Sequence, residues 1–268
     1  MLLAIDIRNK VIRFGLKEGA SWKKIRSFGA LPGRTSDEYA LLMGQFLADA
    51  PAVEPLAVDT VWISSVVPSL TPLLVASVKT LLGCDAHIVG PGVKTGIKIR
   101  TDMPSEVGSD LICAAAAGRE LTRAAFIVAD FGIALTFSAV NQAGEFLGAA
   151  IVPGPEACAE TLRLQAVQIP EVKLEFPSRA IGRSTGESVR AGLLLGYEGL
   201  ILHLIETMEE ELRRQGAEAI EIFGTGNAAG TGASVGMEFL SRLGRGSFLP
   251  NLVLDGIATI AGKAATAS

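Results

Sequence analysis

Cysteine, histidine and the larger aromatic residues are scarce in this 268-residue chain. Its three cysteines, Cys84, Cys113 and Cys158, are widely spaced. That excludes a disulfide framework and a paired-cysteine zinc motif. Cys113, in an alanine-rich helical run, reads as a small buried apolar residue. Only two histidines occur, His87 and His203. A histidine-centred triad or metal site therefore has little to build on, and His203, on an apolar helix, reads as structural. Charge of one sign is also lacking. The 24 basic and 28 acidic residues leave a net charge of −4, so no nucleic-acid surface is expected. No long apolar run survives either. Thr60–Val78 is uncharged, but Pro68, Pro72 and hydroxyl side chains break it, and it reads as a buried strand running into a helix. Asp6 and Arg8 interrupt any leader-like apolar stretch at the N-terminus. A cytoplasmic protein with no membrane partner is expected.

What is abundant is apolar residues, 49% of the chain, and glycine, 30 residues. These suit a sizeable core with many turns and close backbone approaches. The stretch that organises the chain is Ala125–Phe137. An apolar run ends in Asp130, Gly132 permits a tight turn, and a second apolar run follows. The chain begins the same way, with Leu2–Ile5, Asp6, a polar turn at Arg8-Asn9-Lys10, and a second run, Val11–Leu16. Two strand–aspartate–turn–strand units about half a chain length apart point to a duplicated α/β fold. The expected lobes are residues 1–118 and 119–268, each with a mixed sheet, and with a cleft between them.

Between these hairpins the pattern predicts a strand at Trp22–Phe28, a helix at Asp37–Ala48, a strand at Val61–Val67 and a helix at Pro72–Leu82. Short extended pieces follow at His87–Val89 and Lys98–Arg100, then a helix from Pro104 to Gly118. In the second half a strand at Gly144–Val152 and a helix at Glu156–Gln168 precede a loop at Val172–Arg183. Thr185–Gly216 reads as a long amphipathic helix broken near Gly196–Gly199. Its end, Glu209–Arg214, reads as a solvated face with charge pairs one turn apart. Ala219–Phe223 is a strand leading into Gly224-Thr225-Gly226-Asn227. Leu252-Val253-Leu254 precedes Asp255-Gly256 and a short last helix, and Ala264–Ser268 reads as a frayed tail.

Carboxylates at two strand ends suit a hydrated cation with a polyphosphate. Glycine turns beside them let backbone N–H groups reach phosphate oxygens. Gly224-Thr225-Gly226, directly after a strand, has the same capacity. Taken singly, an aspartate at a strand end is more often a turn former. Asp110, early in a helix, reads either as compensation of the helix dipole or as a general base.

These motifs, in order along nearly the whole chain, resemble those of the type III pantothenate kinases, within the actin-like superfamily of acetate and sugar kinases. The resemblance rests on Asp6 and Asn9; Ile63-Ser64-Ser65-Val66-Val67-Pro68; Pro91-Gly92-Val93-Lys94-Thr95-Gly96; Glu106-Val107-Gly108-Ser109-Asp110; Asp130-Phe131-Gly132 with Ala134 and Thr136; Ile151-Val152-Pro153-Gly154; Ile181-Gly182-Arg183-Ser184-Thr185; and Gly224-Thr225-Gly226. It implies a two-lobed actin-like, ribonuclease H-like kinase fold. It also implies ATP-dependent phosphorylation of pantothenate, the first step of coenzyme A synthesis, in a dimer with active sites at the subunit interface. Magnesium and a monovalent cation, potassium or ammonium, are the implied cofactors. On that resemblance Asp6, Asn9, Lys10, Gly132, Thr136, Gly224, Thr225 and Gly226 hold ATP, with Asp6 facing magnesium indirectly. Asp130 holds the monovalent cation, Asp110 is the base, and Gly108, Asp110 and Thr185 meet pantothenate, Thr185 in the partner's site.

The chain also departs from that family. Arg8 stands for the glycine of an Asp-x-Gly-Asn-Thr loop, and Leu111 for the arginine of Gly-x-Asp-Arg. Thr101 and Met103 stand where the family has Tyr and Asn. Ile133 and Leu135 stand where threonines are expected, and Asn227 stands for a glycine. Leu111 cannot pair with a carboxylate as an arginine fork does. The losses fall on groups serving this subunit's own site, while Thr185 and Pro153-Gly154, offered to a neighbour's site, are kept. The expectation is a non-standard subunit that completes an interface site with an intact homologue. The alternatives are a homodimeric kinase with unusual loops, a non-catalytic pseudokinase that binds a ligand or regulates, and a kinase with another small substrate.

Overall fold

The structure, a computed structural model, describes residues 1–48, 58–226 and 231–266. The chain forms two compact units. The first comprises Met1–Lys98, Asp102–Ala117 and Leu252–Ser268, the second Ile99–Thr101 and Gly118–Asn251.

The sheet of the first unit opens with three antiparallel strands, β1 (Leu2–Ile7), β2 (Val11–Glu18) and β3 (Ser21–Gly29). Two parallel strands follow, β4 (Thr60–Ser65) and β5 (Ala86–Ile88), giving the order β3-β2-β1-β4-β5. Side chains alternate across a strand, so Leu3, Ile5 and Ile7 share one face with Ile12, Phe14, Leu16, Val61 and Ile63. That face buries itself under α1 (Ser36–Ala48) and α2 (Thr71–Leu82) through Tyr39, Met43, Phe46, Leu74 and Val78. The helix expected from Pro104 resolves into a single 3-10 turn, Pro104–Glu106, and α3 (Ser109–Leu121), because Val107 between them is extended.

The second unit repeats the plan. β7 (Ala125–Phe131), β8 (Ala134–Val140) and β9 (Glu145–Pro153) are antiparallel, and β10 (Ile220–Gly226) and β11 (Ser247–Phe248) run parallel to β7. The order is β11-β10-β7-β8-β9, with the two-residue β6 (Lys98–Ile99) added beyond β9. The mixed α/β fold with two sheets is therefore as expected. Ile127, Ala129, Phe131, Leu135 and Phe137 form the face that packs on α5 (Thr185–Arg214) and α6 (Thr231–Leu243); α4 (Pro155–Gln165) follows β9.

Four expectations need correction. α5 is unbroken, because glycine keeps both backbone hydrogen-bonding groups and costs a helix only about 1 kcal/mol. The apolar face of Leu194, Tyr197, Ile201, Ile205 and Leu212 in the core outweighs that. α5 is also long and apolar enough to cross a membrane by length and composition, and one face of it packs in the core of the second unit. Second, Glu209 is not solvated. Its side chain is 5% exposed and pairs with Arg245 at 3.0 Å and Arg213 at 3.4 Å. Third, His203 is exposed on α5 rather than packed. Fourth, Leu252-Val253-Leu254 opens the last helix, α7 (Leu252–Ala265).

α7 differs from the expected lobes in belonging to the first unit. A Cβ at Gly256 would stand 1.8 Å from the Cys113 carbonyl oxygen, so only glycine lets α7 touch α3 there. Trp22 donates from Nε1 to Asp255 at 2.7 Å. α6 was not foreseen: its sequence opens on glycines, and its buried Val235, Phe239 and Leu240 make a short stripe. Asn227 and the end of the tail lie outside the described residues.

Candidate active site

Each unit buries one aspartate at the end of its first strand, on the sheet face away from the cores just described. In the first unit Asp6 is fully buried. Its register partners are Arg13 on β2 and Ser64 on β4, and paired positions present side chains to the same face. Arg13 is 3% exposed. Arg8, two residues beyond Asp6 in the turn, donates from Nε to Asp6 Oδ2 at 2.9 Å with its side chain 14% exposed. Asp6 Oδ1 is buried and has no hydrogen-bond partner. Asn9 and Lys10 are exposed in the turn, which Arg8 N–H closes onto the Val11 carbonyl at 2.8 Å.

Asp110 is placed by its neighbour. Ser109 Oγ lies 2.8 Å from Ser64 Oγ, accepts from Ser65 N–H at 2.9 Å and donates to the Ser65 carbonyl at 3.1 Å. That ties the first turn of α3 to the end of β4. Asp110 Oδ1 accepts the Leu111 N–H at 2.9 Å, and a Cβ at Gly108 would stand 2.5 Å from the same oxygen. Cys113, one turn on, is fully buried. Burial drives its thiol well above the ordinary range, with a hydrogen bond to Ser64 opposing and the Asp6 and Asp110 charges adding to the rise. The charges of Asp6 and Asp110 thus both act on the buried Cys113 thiol.

In the second unit Asp130 is 4% exposed. Its register partners are Thr136 on β8 and Thr225 on β10. The Thr136 hydroxyl is buried with no hydrogen-bond partner. Gly154 N–H donates to the Ile133 carbonyl at 2.6 Å, and a Cβ on Gly154 would fall 2.1 Å from the Gly132 carbonyl oxygen. The Pro153-Gly154 segment therefore closes on the Asp130 turn backbone to backbone. Gly226 approaches the Phe131 carbonyl, which a Cβ there would meet at 2.7 Å. Gly224 has a packing reason instead: a Cβ would meet Leu240 Cδ1 at 2.4 Å. Thr185 is exposed at the first turn of α5. The preceding Ser184 caps that helix by accepting from Glu187 N–H at 3.3 Å. Met103 is exposed, and the Thr101 hydroxyl is buried without a partner.

The two rows suit different ligands. Oxygen donors around Asp130 fit a monovalent cation: a carboxylate, the Thr136 hydroxyl and the Thr225 hydroxyl on one face. At Asp6 a protein-held magnesium ion does not fit. Arg8 already neutralises one carboxylate oxygen, and the described residues contain no group of three or more metal-ligating side chains. A second cation on that carboxylate would be repelled by the guanidinium, by roughly 3 kcal/mol per unit charge at about 5 Å and an effective dielectric of about 20. The sequence reading missed Arg13. Its signal was a cation inside the apolar run Val11–Leu16.

A family model described as type III pantothenate kinase matches residues 2–207. Among relatives, a type III pantothenate kinase from Moorella thermoacetica is 38% identical over 86% of this chain and 89% of its own. One from Geotalea daltonii is 36% identical over 86% and 88%. Among solved structures, a protein described as a Baf family transcriptional activator from Campylobacter jejuni shares 17% identity. It has a TM-score of 0.60 over 98% of this chain and 99% of that one. An activator of a 2-hydroxyisocaproyl-CoA dehydratase from Clostridium difficile, with bound ADPNP, has a TM-score of 0.52 at 9% identity, over 99% and 96%. At these identities the two structures bear on the fold alone.

Proposed function

Because the chain belongs to the type III pantothenate kinase family, we propose that it serves the ATP-dependent phosphorylation of pantothenate. The product would enter coenzyme A synthesis in the cytoplasm. The observation that carries this reading beyond the family is the repeated buried aspartate row, one at the end of each first strand. In the proposed reaction the substrate hydroxyl oxygen attacks the γ-phosphorus, its proton passes to Asp110, and ADP leaves with the electron pair of the broken P–O bond. Asp110 stands in the first turn of α3, where the helix dipole favours the ionised, proton-accepting carboxylate. The glycine-shaped backbone at Gly132 and Gly226, with Thr136 and Thr225, would meet phosphate oxygens, and Asn9 and Lys10 would approach them from the first turn. Asp130 would hold potassium or ammonium, which supplies positive charge beside the phosphates. Magnesium would arrive with ATP rather than be held by a carboxylate cluster.

The reading extends to a division of labour between subunits. Arg8 on Asp6 and Leu111 beside Asp110 weaken this chain's own site. Thr185, exposed on α5, is available to a neighbour's site. On the same helical stripe Gly192, Gly196 and Gly199 are exposed with open space where a Cβ would be. Such a stripe admits a second helix closely. The reading is therefore a non-standard subunit paired with an intact homologue, with a homodimer as the other assembly.

The test is pantothenate-dependent ADP release by the full chain, alone and mixed with an intact type III pantothenate kinase whose own Thr185 counterpart is replaced by Ala. The chain alone should turn over far below the roughly 1 per second of ordinary kinases, and the mixture should recover activity. Thr185→Ala in this chain should then lower the recovered kcat/KM by about tenfold. Ordinary turnover by the chain alone would remove the subunit reading and leave a homodimeric kinase.

A further inference from the structure

We propose that Tyr197 is a positioning residue for the phosphate-facing turn after Asp130, because its hydroxyl anchors the backbone segment on which that turn rests. Its role depends on the reading, given above, that the Gly132 turn meets ATP phosphates. Every part lies in the second unit. The turn, Gly132-Ile133, joins β7 to β8. What fixes it from outside the hairpin is the end of β9. Pro153 is the register partner of Ala134, and Gly154 N–H donates to the Ile133 carbonyl at 2.6 Å. Gly154 approaches the Gly132 carbonyl so closely that a Cβ would stand 2.1 Å from its oxygen. Backbone meets backbone there, so a displacement of Pro153-Gly154 passes directly to the turn.

The end of β9 is itself held by α5. Tyr197 Oη donates to the Pro153 carbonyl at 2.5 Å. That uses its one proton, so the Cys158 thiol, 3.0 Å away, is the donor to the same oxygen. One hydroxyl thus joins α5, the end of β9 and the first turn of α4. The Tyr197 ring is buried in the core with Leu194 and Ile201. A ring in a close-packed interior has little room to follow the segment, so it fixes the carbonyl in place. Burial raises the hydroxyl above its ordinary range, with Cys158 adding to the rise, so it stays a donor. Packing alone asks only for the ring, which phenylalanine would supply. The hydroxyl is what reaches Pro153, the residue next to the contact with the turn. Arg8 and Leu111, which weaken this chain's own site, lie in the first unit, apart from this anchor.

The deciding experiment pairs calorimetric titration of ATP, with magnesium and potassium, into the full chain with hydrogen exchange read by mass spectrometry. Tyr197→Phe keeps the ring and removes the hydroxyl. It should bind ATP about fivefold more weakly than wild type. Peptides covering 131–137 and 150–158 should exchange faster in that variant, while a peptide covering 2–16, in the first unit, should not change. Tyr39→Phe makes the same change in the core of the first unit and should leave ATP affinity as it is. In wild type, ATP should slow exchange across 150–158 as well as across the turn, a measurement that needs no variant to fold. ATP binding by Tyr197→Phe within about twofold of wild type, or protection by ATP confined to the turn, would overturn the inference and leave the kinase reading standing. A folded wild-type chain that binds no ATP would overturn the phosphate reading of the turn as well.

Discussion

The two units place an aspartate at the same point of the same strand plan and surround it differently. Asp6 has Arg13 and Ser64 as register partners, with Arg8 in the following turn. Asp130 has Thr136 and Thr225, with Gly132 in the following turn. A shared backbone therefore fixes where the carboxylate stands, and the neighbouring side chains decide which charge it welcomes. In the first unit an arginine pairs with the carboxylate, and in the second two threonines flank it.

The comparison is broken hardest at the backbone. Gly256→Ala puts a methyl group 1.8 Å from the Cys113 carbonyl oxygen in the first unit, and Gly154→Ala puts one 2.1 Å from the Gly132 carbonyl oxygen in the second. Backbone cannot yield as a flexible side chain does. Each change should cost about 3 kcal/mol or more, read as a drop in the urea midpoint. If Gly154→Ala is neutral, the Asp130 turn is not held by that close approach.

Exchanging the flanking residues sharpens the comparison. Arg13→Met removes a buried cation from the face of a buried carboxylate and should cost about 3 kcal/mol at neutral pH. Thr136→Val, the matching change, removes a buried hydroxyl without a partner. It should be neutral or stabilising by up to about 1 kcal/mol, and should weaken any dependence of activity on potassium. Equal costs for the two would mean that the rows differ less than their side chains indicate.

A smaller effect separates Cys113 from the partly exposed Cys84 and Cys158. Burial raises its thiol pKa. The folded state therefore favours the protonated form. Its contribution to stability is complete below the unfolded value of about 8.5 and is lost as pH rises above it. Iodoacetamide at mildly alkaline pH should leave Cys113 unmodified until urea is added, as mass spectrometry of peptides would show. The smallest effect is at Gly196, with open space around it. Gly196→Ala should stabilise the chain by about 0.5–1 kcal/mol. If α5 is the assembly face, it should also weaken association in sedimentation.

The elements most legible in the sequence were those whose pattern is local. Asp6 and Asp130 stood at the ends of apolar runs followed by turns, and the duplicated sheet follows from them. The helix at Thr185 was visible for the same reason, although its glycines were misread as a break. Their cost is local, while the burial of Leu194, Ile201 and Ile205 that offsets it is not. Glu209 was misread likewise. It sits in a run of charges that looks solvated, and its partner Arg245 comes from a distant segment.

Hydrophobic periodicity and turn chemistry, both properties of a few consecutive residues, determined from the sequence alone that this chain builds two strand–aspartate–turn–strand units. Only the tertiary structure decided that α7 packs with the first unit, that Arg13 shares a face with Asp6, and that Arg8 closes onto it. Those facts depend on register and on contacts between residues far apart in the chain. A one-residue shift in register would have turned Arg13 to the opposite face.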